Sequence, residues 1–231
     1  MGRRPPTQLR GSAGFEPASR APGARQKLRA EPRTVNRARF RRKILIIRGA
    51  IVYDLAIQMG TITLIIGGAR SGKSMQALKL AHPYKQKFFV ATGEALDDEM
   101  TARIEFHRTT RPPEFQTVEE PVQIVAAFQK LGNRADLVVL DCLALWISNL
   151  MMRNAGDDGA TLAEADKLAT ALKQASFASI VVTDEVGSGI VPTDHAESRR
   201  FRDLLGWTNQ KVAAVADQVL LMVAGYPLKI K

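Results

Sequence analysis

The sequence is poor in the residues that cross-link small proteins or bind structural metals. It has one cysteine, Cys142, and three histidines among 231 residues. A single cysteine excludes an intrachain disulfide and any zinc site built from several cysteines. The chain is long enough to bury a core as one domain without such cross-links. A reducing compartment fits this cysteine content, so we expect a cytoplasmic protein in which Cys142 is a small buried core residue.

Long apolar runs are also absent. Segment 44–57, ILIIRGAIVYDLAI, is apolar, but it is short and contains Arg48 and Asp54. A membrane span needs about 20 mostly apolar residues, so this segment is not expected to cross a bilayer. A secretory signal is disfavoured as well, because the basic stretch before the apolar run is far too long.

Most of the chain has no excess of positive charge, although the formal net charge is +10. Residues 1–58 hold 14 Lys and Arg against three acids, whereas the rest of the chain holds 19 against 20. The first 43 residues are rich in Pro, Gly, Ala and Arg, and we expect residues 1–58 as a whole to form a basic, disordered extension. An Arg-rich organellar presequence and a nucleic-acid-binding arm stay open as its roles. We favour an upstream extension, a true start at Met59, and one domain over 59–231.

The body of the chain alternates apolar, strand-length runs with helix-like segments. Strands are predicted at Thr61–Ile66, Phe88–Ala91, Leu137–Leu140, Ile180–Thr183 and Val219–Val223. Helices are predicted at Lys73–Ala81, Asp97–Thr109, Val122–Leu131, Leu143–Met152, Thr161–Ser176 and Ala196–Ala216. Continuously apolar strands are typical of a parallel sheet covered on both faces. The order therefore predicts one doubly wound, mostly parallel α/β domain.

Polar residues follow four of the predicted strands. In chain order they are Gly67–Ser74, Thr92–Glu94, Asp141 and Asp184–Glu185. Ligands of such sheets bind beyond the carboxyl ends of the strands, so we expect these groups to share one edge. Glu94 and the two acids at the fourth strand end stay open between functional roles and loop or cap roles.

The segment GGARSGKS, residues 67–74, has the P-loop pattern between a predicted strand and a predicted helix. Its glycines allow backbone N–H groups to surround phosphate oxygens, and Lys73 is placed to reach the β- and γ-phosphates. Ser74 is expected to hold Mg²⁺. Asp141 follows an apolar strand as a Walker B acid does and is expected to hold Mg²⁺ directly or through water. The alternative for Asp141 is a helix N-cap.

A second informative stretch is LDDEMTARIEFHRTTRPP, residues 96–113. Asp97 and Asp98 suit a helix start, and the two prolines end any helix by Arg111. On that helix a single face is predicted to carry Met100, Arg103, Ile104 and His107.

His107 precedes Arg108–Arg111, a run of phosphate-type donors. A neutral imidazole can attack an α-phosphate to form a phosphoramidate, so His107 is a candidate nucleophile. A hydrogen-bonded structural histidine is the alternative, and only that role is predicted for His82 and His195.

Five segments together resemble a known family: GGARSGKS, DDEMTARIEFHRTTRP, LDCLALWISNL, VTDEVGSGIVP and FRDLLGWTNQKVAAVADQVLLMVAG. The family is the bifunctional adenosylcobinamide kinase / adenosylcobinamide-phosphate guanylyltransferase of cobalamin synthesis, and the similarity runs from about residue 61 to the C-terminus. The resemblance implies phosphorylation of adenosylcobinamide by a nucleoside triphosphate, ATP or GTP. It then implies transfer of GMP from GTP, through a guanylyl-histidine, to give adenosylcobinamide-GDP and pyrophosphate. A recombinase-type P-loop fold and a homotrimer are implied as well.

The resemblance also implies residue roles. His107 would carry GMP, Lys73 would be catalytic, and Ser74 and Asp141 would hold Mg²⁺. Asp141 stands where the family often has Glu. The implied nucleotide contacts are Gly67, Gly68, Ala69, Arg70, Ser71, Gly72, Lys73, Ser74, Thr92, Gly93, Glu94, Arg108, Thr109, Thr110, Arg111, Glu119 and Asp141.

Two other functions stay open at this point. One is a P-loop small-molecule kinase without nucleotidyl transfer, in which His107 is structural. The other is a P-loop ATPase that binds nucleic acid through residues 1–58, which the nearly neutral body disfavours. Since a P-loop places the γ-phosphate deepest, attack on the α-phosphate requires the His107 helix to move or the nucleotide to bind differently, and Thr109–Glu114 is the expected hinge.

Overall fold

The computed structural model describes residues 44–47, 50–53, 60–189 and 195–231. The helices are Lys73–Ala81 (α1), Asp98–Thr109 (α2), Ile124–Leu131 (α3), Leu143–Arg153 (α4), Asp158–Gln174 (α5) and Ala196–Val215 (α6). The strands are Ile44–Ile47 (β1), Ala50–Tyr53 (β2), Ile62–Gly67 (β3), Lys87–Ala91 (β4), Phe115–Glu119 (β5), Leu137–Asp141 (β6), Ala178–Asp184 (β7), Gln218–Val223 (β8) and Tyr226–Lys229 (β9). The predicted disordered extension, residues 1–58, lies outside the described residues except at 44–47 and 50–53, and so does the proposed start at Met59.

Strands β1 and β2 form a separate antiparallel pair, with Ile44 opposite Tyr53 and Ile47 opposite Ala50. The sequence analysis predicted no strands in this segment. Its Ile and Val residues have the β-branched side chains that favour extended backbone.

The main sheet has seven strands in the order β5-β4-β6-β7-β3-β8-β9. All neighbours are parallel except β8 and β9, which pair antiparallel. This confirms the predicted mostly parallel α/β fold. Two strands were missed, β5 and β9, and they are the two edges of the sheet.

The core lies on both faces of the central strands. In β6 the four residues Leu137, Val138, Val139 and Leu140 are fully buried, as expected for a strand covered by helices on both sides. Helix α1 packs on β3, β6 and β7, whereas α4 and α6 pack on β7 and β3. The part of the chain that the structure describes contains no helix that is both long enough and apolar enough to cross a membrane.

Helix starts differ from prediction where a side chain caps the backbone. Helix α5 begins at Asp158, three residues before the predicted start, because the Asp157 carboxylate accepts from the Ala160 N–H at 2.9 Å. Helix α3 begins at Ile124 because Glu120 accepts from the two preceding N–H groups, at 3.0 and 2.7 Å, and holds them in a turn.

The register of the sheet brings the predicted polar segments together. Gly67 at the end of β3 lies opposite Asp184 at the end of β7. Ala91 at the end of β4 lies opposite Asp141 at the end of β6. The four strand ends therefore share one edge, which is where ligands of such sheets bind.

Candidate nucleotide site

The loop between β3 and α1 has a backbone that requires its glycines. Gly72 has φ +95° and Arg70 has φ +57°, both in the left-handed region. A Cβ on Gly67 would lie 2.7 Å from the Met222 carbonyl oxygen and 2.7 Å from Ser71 Oγ. The tip of the loop, Gly68 to Arg70, is exposed. The loop is therefore tightly packed at Gly67 and exposes its tip beside the N-terminus of α1, which is where a phosphate-binding loop presents its backbone.

The turn between β8 and β9 packs against this loop. The Gly225 N–H donates to the Ser71 carbonyl oxygen at 3.0 Å, and a Cβ on Gly72 would lie 3.1 Å from Gly225 Cα. The turn residues Ala224 and Gly225 both have positive φ, +50° and +87°. Sequence analysis missed this contact, although Ala-Gly between two strand-like runs is a turn signal.

The amine of Lys73 is held at the mouth of the loop. It donates to the carbonyl oxygens of Gly67 at 3.0 Å and Gly68 at 2.7 Å. It also lies 2.7 Å from Asp184 Oδ1, and the Lys73 side chain is only 11% exposed. A phosphate that enters the loop meets this cation directly.

Asp141 lies beside the start of α1. Its Oδ2 accepts from Ser74 Oγ at 3.0 Å. The alternative of a helix N-cap is wrong, because Cys142 occupies that position of α4 and no side chain caps the helix. Burial raises the pKa of Asp141, while the hydrogen bond from Ser74 and the charges of His107 and Lys73 lower it.

The sequence analysis predicted Cys142 as a buried core residue, and the structure confirms this. Burial raises the pKa of its thiol to about 12.

The pair of Ser74 and Asp141 fits a magnesium ion in donor chemistry, since both offer the hard oxygen ligands that Mg²⁺ prefers. Among the described residues no group of three or more His, Cys, Asp or Glu side chains is arranged to hold a metal. Magnesium usually takes one or two carboxylates plus water and substrate phosphates. The donor set therefore suits an ion that arrives with a nucleotide.

Helix α2 lies over the end of β4 with little packing. Asp97 caps it as predicted, accepting from the Met100 N–H at 2.7 Å. None of its residues is buried. Ile104 packs against Gly93 in the loop after β4, where a Cβ on Gly93 would lie 3.1 Å from Ile104 Cγ1. Gly93 therefore lets the helix approach the strand end closely.

The predicted shared face of α2 is divided by exposure. Met100 and Ile104 are half-buried, whereas Arg103 and His107 are exposed. His107 has no hydrogen bond or ion pair with any described residue, so a hydrogen-bonded structural role has no visible partner there. The charge of His107 lowers the pKa of Asp141, which puts the imidazole within electrostatic range of the strand-end carboxylate.

The donors after His107 point in different directions. Arg108 is hydrogen-bonded to Glu119, which raises the pKa of the guanidinium, and it also donates to Glu105 at 3.3 Å. The hydroxyls of Thr109 and Thr110 donate to backbone carbonyls in the last turn of α2, at 3.0 and 2.7 Å. In this structure the two threonines close the helix.

Arg111 is fixed by two neighbours on the sheet. It donates to Thr117 Oγ1 at 2.6 Å, and its guanidinium lies 3.7 Å from the centroid of the Phe89 ring. Burial lowers the pKa of Arg111, and the nearby Asp141 carboxylate raises it. Arg111 is therefore a positioned cation near the edge where the carboxylates gather.

Glu94 is held by a residue that the sequence analysis did not select. Arg153, in the last turn of α4, donates to both of its carboxylate oxygens, at 3.0 and 2.8 Å. This hydrogen bond is the main reason that the pKa of Glu94 is lowered. The two residues are far apart in the chain, so no local pattern could have indicated the pair.

Thr92 belongs to a buried network beneath the site. Its hydroxyl donates to the Cys142 carbonyl at 2.7 Å and accepts from the Cys142 N–H at 2.8 Å. Asn149 Nδ2 donates to the carbonyl oxygens of Thr92 at 2.8 Å and Pro121 at 3.0 Å. Asn149 therefore joins the loop after β4 to the loop after β5, and it too was missed.

The site thus has a closely bonded centre and a looser periphery. Lys73, Ser74, Asp141 and Asp184 meet within hydrogen-bond distances in two pairs. Such a centre suits the binding of nucleotide phosphates, because the Lys73 amine lies at the mouth of the loop and the N-terminus of α1 adds the positive end of its dipole.

Comparison with known proteins gives a consistent result. The profile of the family described as "Cobinamide kinase / cobinamide phosphate guanyltransferase" matches residues 63–230. "Bifunctional adenosylcobalamin biosynthesis protein CobU" of Escherichia coli (strain K12) is 38% identical, over 73% of this chain and 98% of that protein.

Two further relatives agree. The CobP protein of Pseudomonas aeruginosa is 38% identical, over 73% of this chain and 96% of its own length, and is described as a bifunctional adenosylcobalamin biosynthesis protein. Salmonella typhimurium CobU, described in the same words, is 36% identical over 73% of this chain and 98% of that protein. Among solved structures, a KaiC-like protein of Pyrococcus horikoshii OT3 aligns with a TM-score of 0.40 and 16% identity, over 71% of each chain, which is too distant to support any argument. The chain therefore belongs to the cobinamide kinase / cobinamide phosphate guanyltransferase family.

Proposed function

We propose that this protein catalyses two successive steps of cobalamin biosynthesis. It phosphorylates adenosylcobinamide with ATP or GTP, and it then transfers GMP from GTP to the phosphorylated product. One observation carries the proposal beyond family membership. The exposed His107 has no hydrogen bond to a described residue, and its charge lowers the pKa of Asp141, which accepts a hydrogen bond from Ser74 at the end of the phosphate loop.

In the phosphorylation step, the phosphate loop binds the triphosphate. Lys73 leaves the carbonyls of Gly67 and Gly68 and contacts the β- and γ-phosphates, where it offsets negative charge that develops during transfer. Ser74 and Asp141 would hold Mg²⁺, which supplies further charge neutralisation on the phosphate oxygens when it is bound. The N-terminus of α1 adds the positive end of its dipole.

In the transfer step, a ring nitrogen of His107 attacks the α-phosphorus of GTP. A nitrogen–phosphorus bond forms, and the bond to the bridging oxygen breaks with release of pyrophosphate. A phosphate oxygen of the acceptor then attacks the same phosphorus, which breaks the nitrogen–phosphorus bond and restores the imidazole. In this proposal Arg108 and Arg111 leave their present partners, Glu119 and Thr117, and neutralise the phosphate oxygens that are drawn toward the histidine.

Segment 109–114 is the proposed hinge that brings α2 to the nucleotide. The absence of buried side chains in α2 supports this, because its displacement exposes little core surface. Glu94 and Glu119 complete the proposed nucleotide contacts, and each already has an arginine partner. We further propose that residues 59–231 form the catalytic domain and act as a homotrimer in the cytoplasm.

Product analysis tests this function. Purified protein is incubated with adenosylcobinamide and Mg²⁺, with ATP alone or with ATP and GTP, and products are separated chromatographically. We expect adenosylcobinamide phosphate with ATP alone and adenosylcobinamide-GDP when GTP is added. A protein that stops at the phosphate with both nucleotides would be a kinase only. Salt-sensitive nucleic-acid binding, lost on removal of residues 1–58 and without either product, would favour the ATPase alternative.

A further inference from the structure

Two adjacent acids at the end of β7 have different surroundings. Asp184 Oδ1 lies 2.7 Å from the Lys73 amine, at the mouth of the phosphate loop. The Glu185 carboxylate accepts from the N–H groups of Gly187 at 2.9 Å and Ser188 at 3.1 Å. Glu185 therefore stabilises its own turn, and Asp184 is the acid that contacts the lysine of the phosphate loop.

Asp184 is held firmly in the sheet. Its carbonyl oxygen accepts from Asn209 Nδ2 at 3.1 Å, and Asn209 Oδ1 accepts from the buried Thr183 hydroxyl at 2.7 Å. The next residue, Glu185, donates its N–H to the Gly67 carbonyl at 3.1 Å. The backbone that carries the carboxylate is thus fixed to the loop that binds the triphosphate.

The carboxylates of Asp141 and Asp184 each have a different partner in the site. Asp141 accepts from Ser74, on the side where an oxygen-ligated cation would bind. Asp184 contacts Lys73, which in a P-loop reaches the β- and γ-phosphates. When a nucleotide draws Lys73 onto its phosphates, the Asp184 carboxylate is left beside the γ-phosphate with a vacant oxygen. An alcohol that attacks the γ-phosphorus needs a proton acceptor there.

We propose that Asp184 is the general base of the phosphorylation step, an assignment that rests on the proposed kinase function. As the acceptor hydroxyl oxygen forms its bond to the γ-phosphorus, the hydroxyl proton moves to Asp184. The bond between the γ-phosphorus and the β,γ-bridging oxygen breaks, and the nucleoside diphosphate leaves with the electron pair. The proton on Asp184 is then released to solvent.

The same assignment predicts that the two activities separate at this residue. Attack of the neutral His107 imidazole on GTP removes no proton from an alcohol. Guanylylation therefore has no need of a base at the γ-phosphate, although it uses the same loop. Asp184 is expected to affect phosphorylation and to leave formation of the GMP–protein adduct unchanged.

The test uses the Asp184→Asn variant of the full chain. Asparagine keeps the shape and one oxygen acceptor for Lys73, but it does not accept the proton. We expect kcat for phosphorylation of adenosylcobinamide to fall roughly 10²–10⁴-fold. KM for ATP and acid-labile labelling of the protein by α-labelled GTP are expected to stay at the wild-type level, and the labelling also reports that the variant is folded. Glu185→Gln is the matched control and should keep wild-type kcat.

Two results would overturn the assignment. In the first, Asp184→Asn phosphorylates adenosylcobinamide at close to the wild-type rate. In the second, phosphorylation and GMP labelling fall together, which would show that Asp184 acts by placing Lys73. A wild-type protein that phosphorylates no adenosylcobinamide would instead overturn the proposed function, and the assignment with it.

Discussion

The phosphate loop and helix α2 are built in opposite ways. The loop is held from three sides, by β7 through Asp184 and Glu185, by α1, and by the β8–β9 turn through Gly225. Helix α2 has no buried residue; its half-buried Ile104 packs against Gly93 in the loop after β4, and its exposed Arg108 pairs with Glu119 at the end of β5. The site therefore combines a tightly held loop, the proposed phosphate-binding segment, with a loosely packed helix that carries the proposed nucleophile His107. Such a helix can change position at a small cost in packing.

The cations of the two regions differ in the same way. The Lys73 side chain is 11% exposed and has three oxygen partners, whereas the Arg108 side chain is 52% exposed in its pair with Glu119. Exposed ion pairs contribute little to stability. Lys73 is fixed before a nucleotide arrives, and Arg108 is easily released to follow one.

Among the variants that compare the phosphate loop with helix α2, the largest effect is expected from removing the cation Lys73. Lys73→Met should lower kcat for phosphorylation roughly 10²–10³-fold, because one donor to the developing phosphate charge is lost. Lys79→Met is the matched control, since Lys79 is exposed on the same helix and should leave kcat unchanged. Steady-state kinetics with ATP measure both. A Lys73→Met enzyme with normal kcat would contradict the placement of phosphate in this loop.

The difference in packing between the central sheet and helix α2 can be tested by measuring the free energy of unfolding of two variants. Leu140→Ala removes a side chain with 0% exposure and should reduce the free energy of unfolding by about 2–5 kcal/mol. Ile104→Ala is expected to cost less than about 1 kcal/mol, because the side chain is half-buried on a peripheral helix. Urea denaturation gives both values. Equal losses would mean that α2 is anchored as firmly as the sheet.

Weakening the contact between the β8–β9 turn and the phosphate loop is expected to have a smaller effect on nucleotide binding. Gly225 has φ +87°, so Gly225→Ala introduces roughly 1–2 kcal/mol of backbone strain that moves the turn away from Ser71. We expect about fivefold weaker binding of ATP, measured by calorimetry. Gly132 also has positive φ, but it precedes β6 at the opposite end of the sheet and has open space around it. Gly132→Ala should leave ATP affinity unchanged. Equal losses of ATP affinity in both variants would argue against a role for the contact between Gly225 and Ser71.

The smallest expected effect is a shift in the pKa of Glu94, which lies in the segment between β4 and α2. Arg153→Met removes the hydrogen bond that is the main cause of the low pKa of Glu94, so the pKa of Glu94 should rise. In the wild type the pair stabilises the fold above the unfolded-state pKa of Glu94, and this contribution is lost as the pH falls through the lower folded-state pKa. An NMR titration of the carboxyl carbon measures the shift. Arg134→Met, which changes a cation beside Phe88, serves as the control, and an unchanged Glu94 pKa in Arg153→Met would refute the pair.

The sequence allowed prediction of the central strands because they are continuously apolar. The two edge strands, β5 and β9, were not predicted because their sequences mix apolar with polar residues or proline. Strand β5 reads FQTVE with exposed Gln116, Thr117 and Glu119, and β9 reads YPLK with every residue exposed. Proline and polar residues are tolerated at an edge, where one side of the backbone has no partner strand.

The same limit applies to the site. The phosphate loop and Asp141 could be predicted because each depends on a local pattern: glycines between a strand and a helix, and an acid directly after an apolar strand. The contacts of Lys73 with Asp184 and of Glu94 with Arg153 depend on strand order and helix placement. Only the folded chain brings those partners together.

The central claim is that His107 receives GMP from a nucleotide bound at the phosphate loop. Mass spectrometry of protein incubated with GTP and Mg²⁺ tests it directly, with His107→Ala as the variant and His82→Ala as the control. We predict a GMP adduct on the peptide that contains His107 in the wild type and in His82→Ala, and none in His107→Ala. An adduct on another residue, or formation of adenosylcobinamide-GDP by His107→Ala, would contradict the claim.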